Sequence, residues 1–425
     1  MSQQRPNARR SLKRPTVARG EQRQVSRQSE QSSLQSIRPP NDDRAAWLAY
    51  WQEQNQLWRT EPEISLERRT ELGERRALVP DVEKGIYPFK GMKLDRADVE
   101  WLLATYEGGP VKWSDEKERE REGLDVRGAD LQQADLHQLP LARLRGGLMF
   151  DEYWEATKEQ RISAAVLMRG ADLSEAQLEG ADLLVAQLER ASLREAQLKG
   201  ANLREAQLKG ANLRSVILGD KQRIGPRLAD VQWGNTNLAV VDWSQVAVLG
   251  DEHQARQKKT PGGKKKGKAD RLFEYQEAVR ANRQLAVALQ AQGLSEEAAR
   301  FAYRAQHLQR IVLRRQRKWV AYLFSGMLDL LAGYGYRPVR SVIAYLVIIF
   351  GFMGLYLLNA HFVAPHLRWD EALVLSVSSF HGRGFFSQEI SLGDTYARLA
   401  AAEAVVGLLI EISFIATFTQ RFFGK

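Results

Sequence analysis

The sequence predicts a multi-domain chain: a repeat solenoid flanked by α-helical regions, followed by a two-helix transmembrane module with a re-entrant loop. Three observations carry this. Small and apolar residues recur every five positions within 123–250, two long apolar runs lie within 339–425, and residues 1–43 hold almost no large apolar side chains. At 425 residues the chain has room for several separate cores.

The formal charge of +10 is concentrated in residues 1–43 and 256–268. It therefore describes a tail and a linker more than a folded surface, and no nucleic-acid partner is expected. Cysteine is absent, which excludes disulfides, thiolate catalysis and cysteine metal sites. Met1 to Gly20 is rich in Arg and lacks an apolar stretch, so it is not expected to be a cleaved secretory signal.

Residues 1–43 bury too little to offset chain entropy and are expected to be a disordered basic tail. Residues 44–122 form a helical N-terminal region: Trp47, Tyr50, Trp51 and Trp58 share one helical face, and Val99, Leu102 and Leu103 mark another short helix.

Within 123–250 the period is five. Ala129-Asp130-Leu131 and Ala134-Asp135-Leu136 start it, an interruption spans Gly146–Ser163, and nine Ala/Leu pairs then run from Ala171/Leu173 to Ala211/Leu213. Neither a helix nor a plain strand has that period. The run resembles the pentapeptide-repeat family, whose A-(D/N)-L-x-x units form a right-handed quadrilateral β-helix with Ala and Leu inward. With four units per coil, residues twenty apart should stack, setting Arg169 over Glu189, Glu179 over Lys199 and Glu189 over Lys209. A weaker continuation, Ala229/Val231 and Ala239/Val241, follows an insertion near Asp220–Arg227. The resemblance implies a scaffold or assembly role.

Residues 251–269 read as a basic linker. Gly262, Gly267 and Lys268 approach phosphate-loop spacing, but Ala269 replaces the magnesium-holding Ser or Thr and no apolar strand precedes it. Lys264, Lys265, Lys266 and Lys268 form either a solvated run or a contact for anionic lipid headgroups. Residues 270–319 form a helical hairpin with Gly293 as its stop and Ser295 as the next N-cap. Residues 320–338 form an interfacial helix, and Gly333-Tyr334-Gly335 is a turn at its end rather than a filter.

Within 339–425, Ser341 to Asn359 carries no charge over nineteen residues. That is about 28 Å of helix, enough to span hydrocarbon. Leu399 to Thr419 is interrupted only by Glu403 and Glu411. Basic residues cluster before the first run and after the second, placing both termini on the cytoplasmic side of the cell membrane. Between the runs, Trp369 to Phe380 is helix-like and His381-Gly382-Arg383-Gly384-Phe385-Phe386 breaks it, the layout of a re-entrant pore loop.

This module resembles the two-transmembrane pore of the potassium-channel superfamily in order and spacing, in Ser376-Val377, in Arg398-Leu399 and in Gly407 near a hinge position. An ungapped alignment sets Gly384-Phe385 at the family's Gly-Tyr, Arg383 at its valine and Phe386 at its last glycine. The resemblance therefore implies a pore without typical potassium selectivity. Ala400, Ala404, Gly407 and Glu411 are candidate pore-lining residues, or a close-packing stripe. Arg383 either rings the external mouth, favouring anions, or pairs with Glu389 or Asp394. The functional expectation is a homotetrameric ion channel with a cytoplasmic repeat domain, the alternative a non-conducting membrane-anchored scaffold. The six histidines lack metal-ligand spacing and no nucleophile motif is present, so no enzyme activity, metal or cofactor is expected.

Overall fold

A computed structural model describes residues 38–153, 155–260, 263–336, 338–363, 367–382 and 395–422. Most of the expected basic tail, residues 1–37, lies outside the described residues. Residues 1–65 and 66–425 are two compact units.

In the first unit, helix α1 (Arg44–Glu53) is capped by Asp43, whose side chain accepts from the Ala46 amide at 2.9 Å. Trp47 and Trp51 are its buried face. The Trp51 indole donates to the Glu61 carbonyl at 2.9 Å, and the Arg59 guanidinium lies 3.4 Å over its ring. Trp58, expected on this helical face, lies beyond the helix end: Gln54 caps the helix and Asn55 turns the chain at φ 57°.

The second unit starts with α2 (Leu66–Arg76) and α3 (Arg96–Ala104). Arg68 ties the two together through Asp98, at 2.6 and 2.9 Å. Between them Lys93 bridges in parallel to Asp130, so this region caps the first coil of the solenoid as well as being helical.

From Asp125 onward the backbone is a stack of parallel bridges. Leu167 pairs with Gln187, Asp172 with Ser192, Gln177 with Gln197 and Asp182 with Asn202, each twenty residues on, the spacing of four pentapeptides per coil. Ala and Leu of each unit point inward; Ala176, Leu178, Ala186 and Leu188 are fully buried. The bridges are isolated rather than extended strands, because a corner falls every five residues. Gly170, Glu175, Gly180, Val185, Arg190, Glu195, Gly200 and Glu205 all have positive φ. Glycine adopts that conformation freely, while each L side chain there costs about 1 kcal/mol, offset by the ladder around it.

The interruption is an insertion carrying α4 (Phe150–Tyr153) and α5 (Lys158–Ala164). Across it the pairing interval lengthens, Arg145 meeting Asp182, and the coil resumes without slipping a face. The second insertion lengthens the step again, Asn202 meeting Arg227. Before that insertion the expected stacking holds, the Arg190 amide donating to the Lys209 carbonyl at 3.0 Å. Arg169 meets Glu189 at 3.4 Å and Lys199 meets Glu179 at 4.0 Å, but Lys209 packs its stem beneath Gly234 and forms no ion pair with Glu189.

After α6 (Gly250–Arg256), an antiparallel bridge joins Lys259 to Lys265. Then α7 (Lys268–Ala291) and α8 (Ser295–Arg315) form a hairpin around Gly293, at φ 80°. Leu294 rather than Ser295 occupies the N-cap position of α8. Helix α9 (Trp319–Ala332) ends at left-handed Gly333 and Tyr334, confirming a turn there. The C-terminal helices are α10 (Pro338–Val363), α11 (Trp369–Phe380) and α12 (Thr395–Phe422). Among the described residues one helix, over Val339–Asn359, is long and apolar enough to cross a membrane.

Candidate functional site: a short helix between two long ones, coupled to the solenoid

Helix α11 has twelve residues, about 18 Å, roughly half the hydrocarbon thickness of a bilayer. Its sequence starts with Asp370 and Glu371 in the first turn, where they complement the helix dipole, and the Glu371 carboxylate accepts from the Arg368 amide at 3.0 Å. Gly382, at φ 66°, ends it, its amide donating to the Ser379 carbonyl at 2.9 Å. Ile349 of α10, Phe380 of α11 and Ile410 of α12 form one buried cluster; Tyr356, Ala372 and Tyr396 form a second. The short helix is thus held by both long ones.

Between these clusters Glu403 is fully buried on α12. The Tyr356 hydroxyl donates to it at 2.8 Å, and Ser376 lies 2.5 Å from its other oxygen. Ser376 also donates to the Ile349 carbonyl at 2.9 Å. One carboxyl group therefore joins three helices through groups that would each be costly to bury alone.

Of the expected pore-loop residues, His381 and Gly382 are described; Arg383, Gly384, Phe385 and Phe386 lie outside the described residues, as do Glu389 and Asp394. His381 Nδ1 contacts the Glu411 carboxylate, and its Nε2 lies 3.3 Å from the Tyr345 hydroxyl. The stripe expected either to line a pore or to pack helices closely divides by position. Ala400 is buried, and a Cβ on Gly407 would fall on the Phe380 carbonyl oxygen. Gly407 thus allows close packing of α12 onto α11, and Ala400 is withdrawn from the surface of the single chain. Ala404 is half-buried, and Glu411 is engaged by His381. The outward face of α12 is instead Val405, Leu408 and Ile412.

The lysine run is corrected too. Lys266 is buried, 2.8 Å from Glu274 and donating to the Gln254 carbonyl at 2.7 Å, so it is neither a solvated linker residue nor free to take a headgroup. Lys264, Lys265 and Lys268 are exposed. Among the described residues no group of three His, Asp or Glu side chains is placed to hold a metal ion.

Sequence reasoning missed two further junctions. The first joins the solenoid to the hairpin. Arg204 pairs with Glu277 in a buried contact, and Arg304 grips Glu252 at 2.8 and 3.0 Å. Gln284 exchanges two 2.9 Å hydrogen bonds with Asp230, while Gln292 accepts from the Leu238 amide at 2.7 Å and donates to the Thr236 carbonyl at 2.8 Å. Helix α7 therefore closes the open edge of the last coil with side-chain amides. Burial pushes Glu277 up to about 7 against the opposing pull of Arg204, and it raises Asp182 and Asp251 against nearby arginines.

The second junction is Asp329 on α9. Tyr303 and Arg310 of the hairpin reach it at 3.0 and 2.9 Å, and Arg340 at the start of α10 reaches it at 3.3 Å. Solenoid, hairpin, α9 and α10 are thus connected by ion pairs and hydrogen bonds. A single Asp in an apolar amphipathic helix was the available signal; its partners, nineteen residues before and eleven after, were not.

Comparison with known proteins supports the repeat. The family model described as "Pentapeptide repeats (8 copies)" matches residues 186–220, so the chain carries a pentapeptide-repeat segment. Three solved pentapeptide-repeat proteins are similar to parts of it. One from the Arabidopsis thaliana thylakoid lumen is 20% identical, with 32% of this chain and 75% of that one covered and a TM-score of 0.16. HetL, involved in heterocyst differentiation regulation in Nostoc sp. strain PCC 7120, is 38% identical, with 23% and 35% covered and a TM-score of 0.12. Rfr23 from Cyanothece 51142 is 25% identical, with 25% and 66% covered and a TM-score of 0.11. The chain thus spans about a third of HetL's length. No curated protein matches the chain.

Proposed function

We propose that this chain is a membrane-anchored pentapeptide-repeat scaffold whose C-terminal helices assemble as a homotetramer around an ion pathway. In this reading α10 and α12 are the two spans, both termini are cytoplasmic, and the solenoid and hairpin bias the module through the junctions at Glu277 and Asp329. The observation that carries it is the short helix α11, inserted between the apolar helix α10 and the long helix α12 and ending at His381-Gly382. A hydrophilic external loop has no reason to bury a helix there, whereas a re-entrant loop does. One such loop encloses nothing alone, so the reading requires copies around an axis.

A second reading, a non-conducting anchor with the solenoid as a partner-binding scaffold, is favoured by one observation: Ala400 and Gly407 are consumed in packing within one chain. Conductance of the purified full chain in planar bilayers separates the two. Discrete currents altered by His381→Ala support the pathway. An electrically silent, fully incorporated protein favours the anchor.

A further inference from the structure

Two basic segments far apart in sequence meet at one end of the helical hairpin. Helices α7 and α8 run antiparallel: Tyr275 and Val279 pack on Leu308 and Val312, and the Arg315 guanidinium lies 4.8 Å over the Tyr275 ring. The start of α7, with Lys268, therefore lies beside the end of α8, with Arg314. The preceding strap is fixed at the same end. Buried Lys266 pins it to Glu274 and Gln254, its amide donates to the Lys258 carbonyl at 3.0 Å, and the Lys259–Lys265 bridge closes it. The pin holds Lys264 and Lys265 outward, both exposed.

On the other strand of the hairpin, Arg317 at φ 60° reverses the chain, and Arg314, Arg317 and Lys318 are exposed. Of the nearby acids, Glu274 is paired with Lys266 and Glu252 with Arg256 and Arg304, while Asp270 caps the start of α7 by accepting from the Gly267 amide, leaving one carboxylate against six cationic side chains. The basic surface passes directly into an apolar one. Trp319, Val320, Leu323 and Phe324 of α9 are all more than half exposed.

We propose that Lys264, Lys265, Lys268, Arg314, Arg317 and Lys318 form one composite surface for the headgroups of acidic phospholipids, with the exposed face of α9 seated among the acyl chains beneath them. A soluble polyanion would satisfy the charges and leave those four apolar side chains in water; a lipid surface satisfies both. The inference rests on the membrane reading, and it assigns the hairpin end to the bilayer surface, which sets the orientation of the solenoid above it.

The test uses the full chain with vesicles of phosphatidylcholine alone, and of phosphatidylcholine and phosphatidylglycerol in equal parts, followed by native mass spectrometry of the lipid retained. Each basic side chain near an anionic surface is worth about fivefold in partitioning at low screening. The wild-type chain is expected to retain phosphatidylglycerol preferentially. Changing either Lys264, Lys265 and Lys268 or Arg314, Arg317 and Lys318 to Gln should each lower that preference, and the sixfold variant should reduce it about tenfold or more. Arg190→Gln with Arg214→Gln, exposed on the solenoid, should leave it unchanged. An undiminished preference in the sixfold variant, an equal loss in the solenoid variant, or full competition by a short DNA duplex overturns the proposal. Failure of the chain to enter phosphatidylcholine vesicles overturns the membrane reading; entry without a phosphatidylglycerol preference overturns this inference alone.

Discussion

In the solenoid, buried backbone groups meet their equivalents one coil away, whereas the C-terminal helices bury polar side chains that must each find an individual partner. The Leu173 amide donates to the Ser192 carbonyl at 2.8 Å and the Leu178 amide to Gln197 at 2.9 Å, and so on up the stack. Glu403, by contrast, depends on Tyr356 and Ser376 and nothing repeats that arrangement. A periodic ladder tolerates insertions of many residues, because each adds a loop outside a conserved step. A three-helix polar contact tolerates none. Repetition makes the first region readable and robust; singularity makes the second region specific and fragile.

The largest expected effect breaks the ladder's dry interior. Leu188 is fully buried, and Leu188→Asp places an unpaired carboxylate among Ala and Leu, costing about 4 kcal/mol or more. Circular-dichroism melts of the purified full chain should show the repeat transition lost, while Glu189→Ser barely shifts it. Next comes the polar junction. Glu403→Leu takes the acceptor from the Tyr356 hydroxyl, at about 1–3 kcal/mol, while Ser376 keeps the Ile349 carbonyl. Chemical denaturation in detergent should show a loss confined to the C-terminal helices. Gly407→Val should displace α11 by striking the Phe380 carbonyl, costing about 1–3 kcal/mol and raising protease sensitivity after Phe380.

A smaller effect sharpens the comparison at the boundary between the regions. The folded value of Glu277, about 7, lies above its ordinary 4.5. A raised acid contributes its stability below the ordinary value and loses it as pH rises through the folded one. Docking of the hairpin on the solenoid should therefore weaken as pH climbs from about 4.5 to about 7. Glu277→Gln should flatten that dependence in hydrogen-exchange measurements of α7. The smallest effect belongs to the exposed ladder: Arg169→Gln, at a half-exposed pair, should change stability by less than about 0.5 kcal/mol.

The same contrast explains what the sequence disclosed. A period of five is a local signal, and it predicts the twenty-residue stacking of Arg169 on Glu189. Glu189 and Lys209 stack at the same interval without forming an ion pair; the Lys209 stem packs beneath Gly234 instead. Helix α11 was legible as an apolar segment bounded by Arg368 and Gly382. The face of α12 was not. Small residues at three- and four-residue spacing fit a pore or a packed seam equally, and only the position of the Phe380 carbonyl decides for Gly407. The burial of Lys266 was illegible for a similar reason. Composition marks a lysine run as solvated, and its partner Glu274 lies on the following helix among other charges.

If α11 is a re-entrant element shared around an axis, the number of copies per particle reports it most directly. The full chain incorporated into lipid nanodiscs should yield particles carrying four copies by mass photometry, with Gly407→Val shifting the population toward smaller species. A particle of one or two copies across a range of protein concentrations, in discs wide enough for four, would contradict the account.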